Sequence, residues 1–329
     1  MTRSDDDRSA LSGGFLADLE RVAADAAREA GHLLMDYFGR PLDVEYKGDS
    51  LSDPVTEADR QSQALLTGRI KASFPDHAVV GEEDETASVE ALSDFVWVLD
   101  PLDGTRNFSQ GLPMFASSVG VLLRGVPVAG AIFIPWPQVR GRVFHARKGG
   151  GAACDGTPLN ALCATEPESR RLVGLPGGFS HRFRFDESMA NRVGEARQTG
   201  SIAYELAMTA SGNFQYSALT GSLSLWDVAA ASVIVSEAGG RVLVGEKEGA
   251  GRSWRQLSTF VSDWEDDPPS SADLHKWYRP MIFGAPGVAD AVAAGIRPRG
   301  RWRRRLRRWF RRIPNPLPAW MHSSRESPS

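Results

Sequence analysis

The segment Asp100-Pro101-Leu102-Asp103-Gly104-Thr105 constrains this chain more than any other stretch. It follows directly on the apolar run Phe95-Val96-Trp97-Val98-Leu99. A short apolar run bounded by turn residues reads as a strand covered on both faces. A strand ending in Asp-x-x-Asp-Gly-Thr brings two carboxylates, a glycine and the first N–H groups of a helix to one sheet edge. Carboxylate oxygens suit a hard cation such as Mg2+, and N–H groups at a helix start suit a phosphate. Together they point to a chain built around a metal-associated phosphate. The same residues are also an ordinary turn signal, so the segment needs support from elsewhere.

At 329 residues, with 42% hydrophobic and 24% charged, the composition is that of a globular protein with a real core, in one large or two ordinary domains. The two cysteines, Cys154 and Cys163, have no C-x-x-C spacing. They argue against a disulfide framework or a zinc knuckle and suit a reducing cytoplasm. The six histidines include no H-E-x-x-H pair, which argues against zinc hydrolase chemistry. No glycine loop ends in Lys-Ser or Lys-Thr. The start, Met1 to Asp7, is acidic and is not a secretory signal. The longest apolar stretch, Met114 to Trp136, is broken by Arg124, Gly125 and Pro127. It reads as two strands and a turn, not as a membrane span.

The pattern along the chain alternates helix and strand. Residues 1–14 are expected to be disordered. Apolar residues at helical spacing predict a long helix from Phe15 to Phe38, stopped by Gly39 and Pro41. Lys47 to Thr56 reads as loop and Glu57 to Ser73 as helix. Strands follow at 78–81, 95–100, 115–123, 126–135 and 142–147. Beyond Leu159 the reading is strands at 172–175, 197–199, 214–217, 242–244 and 281–283. Helices fall at 202–211, 228–238 and 288–296. The polar stretch 245–280 reads as an insertion packed through Trp254, Trp264 and Trp277. The expected division is an N-terminal α+β half over 15–160, a C-terminal α/β half over 161–296 and a basic tail over 297–329.

Four acidic stations stand at element boundaries: Asp59, Glu82-Glu83, Asp100 with Asp103, and Asp227. Each has a bland reading when taken alone. Glu82-Glu83 suits a solvated pair, Asp227 a helix cap and Asp59 a polar helix face. Taken together they number what a two-metal phosphatase needs, because two ions a few Å apart neutralise phosphate, activate water and steady the leaving oxygen.

In combination these residues resemble the inositol monophosphatase family of Mg2+-dependent, lithium-sensitive phosphatases. The matching motifs are Asp53-Pro54-Val55-Thr56-Glu57-Ala58-Asp59, Gly81-Glu82-Glu83, Trp97 through Phe108, Ala146-Arg147-Lys148-Gly149-Gly150-Gly151-Ala152, and Trp226-Asp227-Val228-Ala229-Ala230 running on to Glu237-Ala238-Gly239-Gly240. The resemblance covers roughly residues 15–296. It implies a layered α-β-α-β-α sandwich, a homodimer, and hydrolysis by direct in-line attack of water with two or three Mg2+ ions. It implies that Glu82, Asp100 and the Leu102 carbonyl hold one metal. Asp100, Asp103 and Asp227 hold a second, and Glu82, joined by Asp59, a third. The catalytic set is Asp59, Glu82 and Thr105, with Thr105 and Asp59 orienting and deprotonating the water. The N–H groups of Gly104 and Thr105 bind phosphate oxygens, and the backbone at Gly200, Ser201 and Ile202 lines the substrate pocket. Lys47 falls where the family has a lysine near the metal loop, and Arg106 lies next to the site.

Family members that act on inositol phosphates carry a glutamate shortly before the Trp-Asp motif, and Asn213 to Leu225 contains no acid. That weakens recognition of the inositol kind, and the expected substrate is a small phosphate monoester: an inositol or other polyol, sugar or histidinol phosphate. A nucleotide bisphosphate is the alternative with the same chemistry. A membrane-associated binding protein with a reduced site is the alternative from another class.

Ten arginines and no acid lie between Arg297 and Arg312. Without them the net charge of −3 becomes −13, so a basic tail is attached to an acidic body. Trp302, Leu306, Trp309, Phe310 and Ile313 fall on one helical stripe among the arginines. That pattern predicts a helix lying on an anionic membrane over residues 297–313, peripheral at the inner face. Docking on the acidic body or a second subunit, and binding to nucleic acid, are the competing readings, nucleic acid being the least favoured.

Overall fold

The computed structural model describes residues 13–40, 44–46, 54–84, 88, 90–138, 140–220, 223–248, 251–262 and 264–299. Residues 1–12, Lys47, Asp53 and the tail from Gly300 onward lie outside the described residues.

In chain order the elements are α1 (Gly13–Tyr37), β1 (Val44–Tyr46), β2 (Pro54–Thr56), α2 (Glu57–Ser73), β3 (Ala78–Gly81), β4 (Phe95–Asp103), α3 (Thr105–Ser109), β5 (Ala116–Leu123), β6 (Val126–Ile134), β7 (Arg142–Arg147), β8 (Gly151–Cys154) and β9 (Thr157–Pro158). Then follow β10 (Leu172–Gly174), α4 (Phe179–Arg182), β11 (Phe183–Phe185), β12 (Glu195–Arg197), α5 (Ile202–Ala210), β13 (Phe214–Leu219), α6 (Leu225–Glu237), β14 (Arg241–Glu248), β15 (Gly251–Gln256), α7 (Ser271–His275), β16 (Met281–Gly284), α8 (Pro286–Gly295) and β17 (Ile296–Pro298).

Helix α1 forms because Leu16, Leu19, Val22, Ala23, Ala26, Ala27, Ala30 and Leu34 recur every three or four residues and are all buried. Burying each leucine is worth about 2 kcal/mol, which fixes the face α1 turns to the sheet. Strands β3 to β9 form a seven-stranded sheet in chain order, with β3 and β4 parallel and the rest antiparallel. Helices α1 and α2 cover one side of it, and α5 and α6 cover the other. A six-stranded sheet, ordered β12-β10-β13-β16-β14-β15, backs the α5–α6 pair. Helix α8 packs on β13, β14 and β16. The result is an α-β-α-β-α sandwich. The middle helix lies very close to the first sheet: a Cβ added at Gly120 would stand 2.6 Å from the Ala229 Cβ. Only glycine leaves room for α6 there.

Two expectations need correction. Lys47 to Thr56 is not loop throughout, because Pro54–Thr56 pairs antiparallel with Val44–Tyr46. The stretch 245–280 is not a plain insertion either. Strand β14 runs on to Glu248 and turns back as β15 to make the edge of the second sheet. Its arginines and other polar residues hid it, because an edge strand needs no continuous apolar run. In this region Trp264 is buried, and the Trp277 Nε1–H donates to the Phe260 carbonyl at 3.1 Å. Among the described residues, no helix is long and apolar enough to cross a membrane.

Candidate active site

The site begins where β2 runs into α2. Thr56 is the N-cap, and its backbone N–H donates to Asp59 Oδ2 at 2.8 Å, one arm of a capping box. That leaves Asp59 Oδ1 to accept from the Thr105 hydroxyl at 3.1 Å, across 46 residues of sequence. The same hydroxyl lies 3.0 Å from the Leu102 carbonyl. Asp59 is therefore a helix-capping residue and a site residue at once. Burial pushes its carboxyl up to about 6, against the hydrogen bonds from Thr56, and the Glu83 charge adds to the rise.

Strand β4 breaks register with β5 between Asp100 and Asp103. The break lets both carboxylates stay at one edge. The Ser62 hydroxyl donates to the Pro101 carbonyl at 2.9 Å and fixes the bulge to α2. Gly104 follows at φ 91°. A side chain there would be strained and would meet the Met114 carbonyl and the Ser201 Cβ at 3.0 Å. The first N–H groups of α3 thus sit immediately beside the two aspartates.

Asp100 is 1% exposed, and its Oδ1 has no hydrogen-bond partner. Burial holds its carboxyl well above the ordinary range, with Glu82, Asp103 and Asp227 adding repulsion. Glu82 also shares a hydrogen bond with it. Glu82 is placed by its backbone N–H on the Leu99 carbonyl at 3.1 Å. Gln63 takes the next N–H, Glu83, at 2.9 Å and donates to Asp84 at 2.8 Å, which secures the loop. Asp227 comes from the start of α6. The helix begins at Leu225, earlier than its apolar run suggests, because Ser224 caps it and Asp227 closes the capping box at 2.8 Å. The cap is thus Ser224, not Asp227. Burial and the nearby Asp103 raise Asp227 as well.

Asp103 is gripped from the other half of the chain. Its Oδ2 accepts from the Ser201 hydroxyl at 2.7 Å and from the Ala203 N–H. Burial lifts it to about 6, while Ser201 and the N–H groups of Ala203 and Ile202 pull the other way. Ser201 and Ile202, expected at the substrate, thus also position Asp103. Asn107 on α3 makes a second tie, donating to the Met114 carbonyl at 2.6 Å and the Thr199 carbonyl at 2.7 Å. Gly200 packs against that same side chain. Arg106 is exposed on α3.

Sequence reasoning missed Glu205. It lies on α5, 4% exposed, with Oε2 accepting from the Thr199 hydroxyl at 3.4 Å and the Ser217 hydroxyl also bonded to the carboxyl. Burial lifts it to about 7. Gly174 makes the space, since a Cβ there would fall 2.2 Å from Glu205 Oε1. The available signal was an acid inside the otherwise apolar helix Ile202–Ala210, which is buried nearly all round and so must bury its charge.

Among the described residues, no three acidic, imidazole or thiol groups already form a closed ligand cage. The carboxyls of Glu82, Asp100, Asp103 and Asp227 are nonetheless close enough to lift one another. Like charges stay apart, and Asp103 and Asp227 each turn one oxygen to a backbone N–H. Asp100 Oδ1, buried and unpaired, fits a cation. The donors are all oxygens, which suits a hard divalent ion and not zinc or copper.

A five-layer sandwich that gathers carboxylates at a strand bulge beside a helix start is suited to metal-assisted hydrolysis of a phosphoric monoester. The chain belongs to the inositol monophosphatase family, whose model matches residues 16–273. The chloroplastic phosphatase IMPL1 of Arabidopsis thaliana is 36% identical over 69% of this chain and 62% of its own length. The match thus spans less than two thirds of that relative. A fructose-1,6-bisphosphatase/inositol-1-monophosphatase of Aquifex aeolicus is 35% identical over 69% of this chain and 86% of its own. Among solved structures, a Thermotoga maritima IMPase superposes with a TM-score of 0.63 at 25% identity, covering 84% of this chain and 96% of that one. The extragenic suppressor protein suhB of Bartonella henselae has the same fold, with a TM-score of 0.63 at 24% identity over 84% of this chain and 97% of that one.

Proposed function

We propose that the protein hydrolyses a small phosphate monoester with Mg2+, using Asp59 and Thr105 to deprotonate the attacking water. The observation that carries this reading is the 3.1 Å contact between Thr105 Oγ1 and Asp59 Oδ1, set immediately after the Asp100–Asp103 bulge. Glu82, Asp100, the Leu102 carbonyl, Asp103 and Asp227 would hold two or three ions, which polarise a phosphoryl oxygen and lower the pKa of water. Thr105 accepts from the water and passes its own proton to Asp59, whose Oδ1 stands 3.1 Å from the Thr105 hydroxyl. The N–H groups of Gly104 and Thr105 hold phosphate oxygens at the helix start. Ser201 and Ile202 keep Asp103 aimed.

The substrate is a polyol, sugar or histidinol phosphate. The two bacterial and plant relatives carry names for inositol monophosphate, fructose bisphosphate or phosphatase activity. Here, however, β13 is buried along its whole length and offers no acid to ring hydroxyls. Homodimer assembly and a cytoplasmic location belong to the same proposal and are tested by light scattering and cell fractionation. Phosphate release is to be measured on inositol, sugar, histidinol and adenosine phosphates, with Mg2+ and with EDTA. Release that needs Mg2+ is expected from at least one of the first three. Release unaffected by EDTA, or none from any ester, refutes the proposal.

A further inference from the structure

We infer that the cationic face of the two-stranded ribbon of β11 and β17 docks on a bilayer containing anionic phospholipid. The register pairs Phe183 with Pro298, Arg184 with Arg297 and Phe185 with Ile296. The Arg299 N–H continues the ladder onto the Arg182 carbonyl at 2.8 Å. Directly opposed residues share a face, and faces alternate along a strand. Arg184 and Arg297 therefore share one face, and Arg182 and Arg299, tied to each other across the end of the ribbon, flank them; all four are exposed. Phe183, Phe185 and Ile296 take the other. Phe179 stacks beneath, its ring 5.1 Å from Phe185 and 6.0 Å from Phe183.

This alternation packs the apolar face against the core and turns the cationic face outward. Asp186 answers Arg297 at 2.7 Å, which leaves the face strongly positive on a chain whose remainder is acidic. The Arg299 Nε–H also donates to the Phe183 carbonyl at 3.3 Å. The chain is thus held to the ribbon up to the residue where the described structure ends. Eight further arginines follow directly, interleaved with Trp302, Leu306, Trp309, Phe310 and Ile313. The arginines alone would suit any polyanion. The large apolar residues interleaved with them in the sequence favour lipid, because such side chains gain from entering the acyl boundary while arginines pair with headgroup phosphates. A nucleic acid backbone has no such interior.

The test uses the full chain in flotation with phosphatidylcholine vesicles, with and without phosphatidylglycerol. Arg182→Gln with Arg184→Gln removes half of the ribbon charge, and Trp302→Ala with Trp309→Ala removes apolar contact outside the described fold. Phosphate release from a soluble ester serves as the fold control. Binding only to anionic vesicles is expected. The paired arginine change should lower partitioning about thirtyfold, near fivefold for each charge. The tryptophan pair should also lower it, and turnover should stay unchanged in both. No flotation of the parent chain overturns the inference and favours docking on the acidic body. Partitioning unaffected by the arginine pair overturns the role of the ribbon. Tryptophan variants that bind vesicles like the parent, with nucleic acid stripping both from lipid, overturn it in favour of nucleic acid.

Discussion

Replacing Glu205 by Gln separates charge from shape at a buried position. The carboxyl ordinarily titrates at 4.5 and is lifted to about 7 by burial in the folded protein. The fold therefore binds this proton more tightly than the unfolded chain does. The stability tied to the protonated form is full below about 4.5 and is lost as pH rises through about 7. That gap corresponds to about 3 kcal/mol at 1.36 kcal/mol per tenfold change. Gln keeps the shape in the space beside Gly174 and carries no charge. Urea denaturation at about pH 8.5 should find Glu205→Gln more stable than the parent by about 3 kcal/mol, while at about pH 4.5 the two should agree closely. The Thr199 contact survives in both, so the same small offset at each pH cancels in the comparison. A stability difference that does not change with pH would refute the claim that burial strains this charge.

Three further outcomes follow from the geometry. Asp103→Asn should lower turnover about a hundredfold or more and weaken Mg2+ dependence, with a normal circular dichroism spectrum, because the Ser201 contact can persist while the charge does not. Thr105→Val should lower kcat by about 10²–10³ with little change in KM, while Thr105→Ser keeps most activity, since only the hydroxyl on Asp59 matters; equal rates for the two would remove Thr105 from the chemistry. Gly120→Val should lower the urea unfolding free energy by about 1–3 kcal/mol, because its first carbon would already crowd Ala229 at 2.6 Å.

The outline of the fold was legible where packing obeys a simple period. Helix α1 and strand β4 carry their burial in their spacing. The site aspartates were legible because each sits at an element boundary, where a strand end or helix start limits what a carboxylate can do. Asp59 and Asp227 are neither a plain polar helix residue nor an N-cap: each closes a capping box with one oxygen, and the other oxygen of Asp59 meets Thr105. What stayed hidden depended on contacts between distant segments. Strand β15 shows mostly polar residues because it lies at a sheet edge. Glu205 needs Gly174, 31 positions earlier on a different strand, before its burial makes sense. The grip of Ser201 on Asp103 spans 98 residues, and no local pattern foretells it.

Asn107 bears on how such enzymes can be rebuilt. One amide holds the Met114 carbonyl and the Thr199 carbonyl together, while Ser201 reaches back to Asp103. A chimaera that takes its C-terminal half from a relative would replace Thr199 and Ser201 and, with them, the contacts that set Asn107 and Asp103. The Asp103 carboxylate is therefore aligned by both halves of the chain, and a graft would have to carry the Thr199–Ala203 segment matched to its recipient loop.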